Sequence, residues 1–331
     1  MDRPILQELI PIPGVWERIV AVEARLDEVT RSTDEFLTEV AQHLLRAGGK
    51  RYRPLVAQVA AELGPDRGDR PVEAGVSVEL VHLGSLYHDD VIDEADSRRG
   101  RPSVNENWSN TIAILAGDFL LARASEVAAP LGEAAVALIA STYATLCEGQ
   151  VAELRYAGGL EHGADGYYQV IGGKTASLIR TSARLGAMTS GADEESIEAI
   201  SDWAWEMGLV FQMTDDVLDL VADEDFIGKP AGSDIREGVY TLPVLYAAGG
   251  PDGDEIRALL GANAPTDQRE IDRVIGLTVS GGHVDRVVDE AVERIRVAEK
   301  AADRIASEEL RAILKNLDAY LLERVRAARG A

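Results

Sequence analysis

His82-Leu83-Gly84-Ser85-Leu86-Tyr87-His88-Asp89-Asp90-Val91-Ile92-Asp93 reads as the last turns of an apolar helix that closes on carboxylates. The pattern returns 126 positions later (215 − 89) as Asp215-Asp216-Val217-Leu218-Asp219. On a helix, residues four apart share a face, so Asp89 with Asp93, and Asp215 with Asp219, each present two carboxylates in one direction. Such pairs repel unless cations lie between them. Magnesium takes one or two carboxylates and completes its shell with water and phosphate oxygens, so two such clusters facing each other would cage a metal-bound diphosphate. A solvated acidic face is the plain alternative in a chain with 57 Asp and Glu. The flanks argue against it: Val78, Leu80, Val81 and Leu83 precede the first cluster, and Leu209, Val210, Phe211 and Met213 the second. Carboxylates that end apolar helices more often face an interior cavity than open water.

A chain of 331 residues buries a substantial core. Its formal charge of −24 opposes binding to nucleic acid, whose backbone demands a basic face, and attraction to anionic lipid. Cys147, the single cysteine, excludes an internal disulfide framework and is read as a buried, inert thiol. No Cys/His group has zinc-ligand spacing. The opening Met1-Asp2-Arg3-Pro4 lacks a basic region followed by a long apolar segment, so a cytoplasmic location is expected. The most apolar stretches, 111–122 and 134–147, fall short of a bilayer span and are read as core helices.

Apolar residues recur at three and four positions along most of the chain, and Gly, Pro and Asp clusters interrupt them at helix-length intervals. Helices are expected over about 16–46, 50–63, 70–93, 106–128, 131–157, 165–190, 193–222, 235–249, 252–261, 268–279, 283–305 and 307–328. Alternating β-type runs are almost absent and no long linker divides the chain, so residues 1–331 are expected to form a single-domain, all-α helical bundle. The last sixty or so residues carry dense Glu/Arg pairs, are read as an exposed outer layer, and are assigned no chemistry.

An acidic chain that binds a diphosphate needs local reversals of charge, and two occur. In Gly48-Gly49-Lys50-Arg51-Tyr52-Arg53-Pro54, paired glycines let backbone N–H groups approach a phosphate at a helix start, while Lys50 and Arg53 point the same way. In Arg98-Arg99-Gly100-Arg101-Pro102, five residues past Asp93, the arginines either pair with the aspartates or hold phosphate oxygens that metal leaves free. His82 lies seven residues before Asp89, nearly on its stripe and about 10 Å down the helix. Gly172-Gly173-Lys174-Thr175, Gln212 and Gly228-Lys229-Pro230 add polar groups to otherwise apolar surroundings.

These stretches together resemble the all-trans polyprenyl diphosphate synthases of the isoprenyl diphosphate synthase family. The residues that carry the resemblance are GGKRYRP at 48–54, HLGSLYHDDVIDEADSRRGRPS at 82–103, GGKTASLI at 172–179, and GLVFQMTDDVLD with GKPAGSDIREG within 208–238. The resemblance implies a homodimeric helical bundle with a deep central cavity and head-to-tail condensation of isopentenyl diphosphate with an allylic diphosphate. It implies Asp89, Asp93 and Asp215 as principal magnesium ligands, Asp90, Asp216 and Asp219 as supporting ones, and three Mg2+ per active site. Arg98, Lys174, Thr175, Gln212 and Lys229 fall on the allylic diphosphate side, with Arg98 and Lys174 counted as catalytic. Gly49, Lys50, Arg53, His82 and Arg99 fall on the isopentenyl diphosphate side. Where many relatives carry a further lysine this chain has Val239, one cation fewer near the allylic phosphate.

Product length in that family depends on side chains four or five positions upstream of the first aspartate, here Ser85 and Gly84. With no aromatic plug there, the product is expected to exceed farnesyl diphosphate, a length suited to a quinone side chain, and Gly84→Phe is expected to shorten it. Tyr87 is expected to point away. A class I terpene cyclase also ionises diphosphates at DDxxD but needs no isopentenyl diphosphate site. A non-catalytic subunit of a heteromeric synthase would be expected to lose an acidic motif, and both are intact here.

Overall fold

Short polar side chains punctuate the helices by accepting their first free N–H groups. Asp34 Oδ1 accepts from Phe36 N (2.9 Å) and Leu37 N (3.2 Å), Ser109 Oγ from Ile112 N (3.3 Å), and Asp267 Oδ1 from Arg269 N (2.9 Å). The Asp34 cap divides the expected helix 16–46 into Pro13–Val29, Glu35–Ala41 and His43–Arg46. The computed structural model describes residues 3–222, 231–261 and 264–330. Helices account for nearly all of its regular structure, as the periodicity predicts, and the only strand pair among these residues is the hairpin Ser97–Arg98 with Arg101–Pro102.

The chain divides into two compact units. One comprises Met1–Ala144, Leu178–Ser201 and Arg304–Ile313; the other comprises Thr145–Ser177, Asp202–Asp303 and Leu314–Ala331. In the first unit the long helix Asp69–Ile92 carries the first acidic motif and packs most extensively on Asn110–Ala128. In the second unit the Asp202–Val221 part of the helix Glu194–Val221 carries the second motif. No helix among the described residues is long and apolar enough to cross a membrane.

Two expectations change. The segments 111–122 and 134–147 are not wholly core. Their helices, Asn110–Ala128 and Glu133–Tyr156, bury one face and expose Ile114, Leu115, Val151 and Leu154 on another. Cys147 is exposed rather than buried. Ala, Ser and Thr on these helices give the sequence little contrast between inner and outer faces, so periodicity does not show which way the thiol points.

The C-terminal helix Glu308–Gly330 is more than an outer layer. Its Asp318 is buried in the second unit, where Trp203 Nε1 donates to Oδ1 at 3.0 Å and Oδ2 has no hydrogen-bond partner. Burial pushes this carboxyl up to about 8. The native protein therefore keeps a proton that the unfolded chain releases near pH 4, and this residue's contribution to stability falls as pH rises from about 4 to about 8. Asp318→Asn removes that dependence. Urea unfolding should show the variant gaining on the wild type by on the order of a few kcal/mol between pH 5 and pH 8, and a pH-independent difference would refute a buried ionisable carboxyl.

Candidate active site

In the first unit, two segments bring cationic groups to the helix that carries Asp89. The cations come from the turn and first residues of the helix Tyr52–Ala60 and from the Ser97–Pro102 hairpin, and the motif helix Asp69–Ile92 itself contributes His82. Arg99 and Gly100 both have positive φ (55° and 72°), as a two-residue hairpin turn of this kind requires. A non-glycine residue in that region is strained, and its side chain is fixed from outside: Arg99 Nη1 donates to the carbonyls of Leu44 (3.1 Å) and Gly48. Gly49 leaves room for this contact, since a Cβ there would lie 2.9 Å from Arg99 Nη1 and 2.7 Å from Arg51 Nη1.

Arg51 is buried and structural. It donates to Glu79 Oε1 at 3.0 Å and to Glu23 Oε1 at 2.9 Å. Arg53 is half-buried, and its Nε has no hydrogen-bond partner. Burial, then the charges of Arg53, Arg99, Arg51 and Arg98, hold His82 well below the usual imidazole range. His82 is therefore neutral at pH 7 and lies in the field of four guanidinium groups. Lys50 is exposed beside them. Gly49, Lys50, Arg53, His82 and Arg99, expected together, are thus gathered in one unit.

The first acidic motif is not uniform. Asp90 is 0% exposed and accepts from Arg98 Nε and Nη2, both at 2.6 Å to Oδ1. Asp89 is half-buried, and Asp93 is exposed as the residue that caps the helix. The Arg98–Asp90 pair is the salt-bridge alternative for the arginine cluster, and it turns the middle aspartate inward. Tyr87 does point away: it is fully buried and its hydroxyl donates to Val40 O at 2.7 Å.

The expected helix 165–190 contains a π-helical turn, Gly172–Ala176, which lies in the second unit, between Gly163–Ile171 and Ser177–Ser190. Such turns often mark functional sites. Here the turn carries Lys174 and Thr175. A Cβ on Gly173 would lie 2.8 Å from Gly149 Cα, so the glycines serve close backbone packing. Lys174 Nζ pairs with Glu153. Thr175 Oγ1 donates to Gln212 Oε1 (2.8 Å), Gln212 Nε2 to Asp216 Oδ1 (2.8 Å), and Tyr167 Oη to Asp216 Oδ2 (2.5 Å). Burial, reinforced by Asp215 and Asp219 and opposed by the Tyr167 and Gln212 hydrogen bonds, raises Asp216 to about 7. Asp219 is buried and accepts from Asp234 N at 3.3 Å. Asp215 is half-buried and accepts from Arg324 Nη1 at 3.2 Å.

Lys229 lies outside the described residues. Tyr167, Glu153 and Arg324 escaped the sequence reading, because their partners lie 49, 21 and 109 positions away and no local pattern marks them. The donor set suits a hard divalent cation. Among the described residues no three acidic, His or Cys side chains converge to hold a metal unaided. Magnesium needs no such triad when substrate phosphate completes its shell, and Asp89, Asp93 and Asp215 are the less buried oxygen donors.

A profile of the Polyprenyl synthetase family matches residues 34–278. The chain belongs to that family. It is 46% identical over 252 residues to the nonaprenyl diphosphate synthase of Mycobacterium tuberculosis, covering 75% of each chain. It is 37% identical over 308 residues to heptaprenyl diphosphate synthase component 2 of Geobacillus stearothermophilus, covering 92% of this chain and 95% of that one. A polyprenyl synthase from Caulobacter crescentus, crystallised with calcium and isoprenyl diphosphate, matches with a TM-score of 0.88 at 30% identity, covering 96% and 97% of the two chains. The fold is the all-α fold of these synthases.

Within this family member the small residues before the first motif differ in role. Gly84 is buried, and a Cβ there would lie 3.0 Å from Gly117 O and 3.0 Å from Leu121 Cγ, so its size is demanded by helix packing. Ser85 is half-buried and donates to His82 O at 2.9 Å. Gly84→Phe, expected to shorten the product, would also force Asp69–Ile92 and Asn110–Ala128 apart. The variant should lose about 1–3 kcal/mol or more of stability, read by urea denaturation, and an unchanged midpoint would show that the pair has room.

Proposed function

We propose that this protein condenses isopentenyl diphosphate with an allylic diphosphate, head to tail, to give an all-trans polyprenyl diphosphate longer than farnesyl. The observation that carries the reading is the set of cationic groups around His82, in the same unit as Asp89, in a chain of net charge −24. Condensation needs an anion site for a second diphosphate, whereas a terpene cyclase needs only one. Arg53, Arg99, Lys50 and the Gly49 backbone bind isopentenyl diphosphate, and neutral His82 donates one N–H without adding charge. The buried, unpartnered Nε of Arg53 supports this role.

Asp89, Asp93 and Asp215 would hold magnesium, three ions per site, with Asp90, Asp216 and Asp219 in support. Bound magnesium stabilises the charge that develops on the departing diphosphate. Lys174, Thr175, Gln212, Arg98 and Lys229 hold the allylic diphosphate. Lys174 and Arg98 are the catalytic cations, strengthening their hold as that charge develops. Ser85, being small, leaves the growing chain room. The whole of residues 1–331 acts as one synthase domain in the cytoplasm, as a homodimer, which the exposed Ile114 and Leu115 in the first unit and Val151 and Leu154 in the second support. A monomer by sedimentation would remove the dimer from this reading.

Incubation with magnesium, labelled isopentenyl diphosphate and a set of allylic primers, with chromatography of the dephosphorylated products, tests the reading. Chains beyond C15 are expected, and free prenyl alcohol without condensation would refute it. Asp89→Ala and Asp215→Ala should each lower turnover by orders of magnitude; removing a carboxylate relieves repulsion, so folding should change little, with some loss in Asp215→Ala from the Arg324 guanidinium it leaves behind. Equal losses of activity and melting temperature would point to a structural role. Lys50→Ala should mainly raise the Michaelis constant for isopentenyl diphosphate, and an unchanged value would remove that assignment.

A further inference from the structure

Arg324 lies on the C-terminal helix Glu308–Gly330, beyond the 34–278 family match, yet its Nη1 donates to Asp215 Oδ1 at 3.2 Å. The guanidinium is mostly buried, with 17% of the side chain exposed against 39% for Asp215. The same two helices meet a second time where Trp203 donates to buried Asp318, so the approach of Arg324 is fixed at two points within one unit. Around Asp215, Asp216 faces Tyr167 and Gln212, and Asp219 faces the Asp234 backbone. Arg324 is thus a cation bound to an aspartate of the second motif by a side chain rather than by metal.

We propose that Arg324 is a resident counter-ion of the second acidic motif: it holds Asp215 in the metal-free protein and competes with the metal for that carboxylate. The inference rests on the reading of Asp215 as a metal ligand. A guanidinium hydrogen-bonded to Oδ1 relieves the mutual repulsion of Asp215, Asp216 and Asp219 when no metal is present. Once a divalent ion reaches Asp215, the same positive charge opposes it. Arg324 thereby weakens loading by metal alone, and an added anion such as diphosphate offsets its charge. It is a positioning residue, since it acts through Asp215 rather than on the reacting atoms.

The test uses the full chain and Mn2+, titrated by electron paramagnetic resonance without substrate. Asp215→Ala defines the site in question as the Mn2+ it removes. Arg324→Gln keeps a hydrogen-bond donor and removes the charge, and should bind that Mn2+ roughly fivefold more tightly than the wild type, with Arg324→Lys closer to wild type. The melting temperature of metal-free Arg324→Gln should fall, and its rise on adding Mn2+ should be larger than in the wild type. A purely structural arginine would lower the melting temperature without tightening the metal. Unchanged or weaker Mn2+ binding in Arg324→Gln, with the site still lost in Asp215→Ala, overturns the role of Arg324 and leaves the metal reading standing. Full retention of Mn2+ by Asp215→Ala overturns both.

Discussion

Clustered carboxylates in a protein interior are tolerated only when each buried one has a partner, and this constraint organises both acidic motifs. The cost of burying an unpaired carboxylate is several kcal/mol or more. Each motif meets it by turning the middle aspartate inward onto neighbouring side chains. Asp90 is held by the Arg98 fork, and Asp216 by Tyr167 and Gln212. The pairing fixes how each helix is rotated, which leaves the leading aspartate, Asp89 or Asp215, on the less buried side. Arg98 thereby takes on a structural duty as well as the anion-binding one expected of it.

The cationic groups obey the complementary rule. Four guanidinium groups around one imidazole repel one another; Arg98 is paired with Asp90, and Glu79, buried and ion-paired with Arg51, is the internal counter-charge facing Arg51, Arg53 and Arg99. Burial raises Glu79, and Arg51, Arg53 and Arg99 pull it back. Arg53 and Arg99 are pushed down by burial, which marks them as cations short of an anion. Such an arrangement suits a multiply charged anion, whose arrival would relieve the repulsion among these groups.

Most helices were legible because period and punctuation agree: Gly and Pro breaks fall at helix-length intervals and the apolar stripes between them run unbroken. The break at Asp34 rests on one capping side chain, which the apolar period running across 16–46 masks. The π-helical turn at Gly172–Ala176 was not legible, because the backbone that Gly173 packs against, Gly149, belongs to another helix. Likewise the motif aspartates were visible as a pattern, while Tyr167, Glu153 and Arg324 were visible only as ordinary residues of amphipathic helices. Tertiary partners leave no local period. Cys147 was misplaced for a related reason: small residues surround it, and smallness does not distinguish an inner face from an outer one.

The two Asp-Asp-x-x-Asp motifs share a sequence without sharing a structure, and the difference lies in where each helix stops. The first helix ends at Ile92, so Asp93 is its cap and is exposed, while its N–H still closes the last turn on Asp89 O at 2.8 Å. The second continues to Val221, so Asp219 remains inside the helix, is 4% exposed, and is met by the backbone of Asp234. The capping position exposes the Asp93 side chain, whereas Asp219 lies within a buried turn. The i and i+4 spacing that makes the two motifs look equivalent therefore yields two less buried carboxylates in one unit and one in the other. Arg324 on the remaining one sets a positive charge beside a cluster in which burial and the neighbouring carboxylates already raise Asp216.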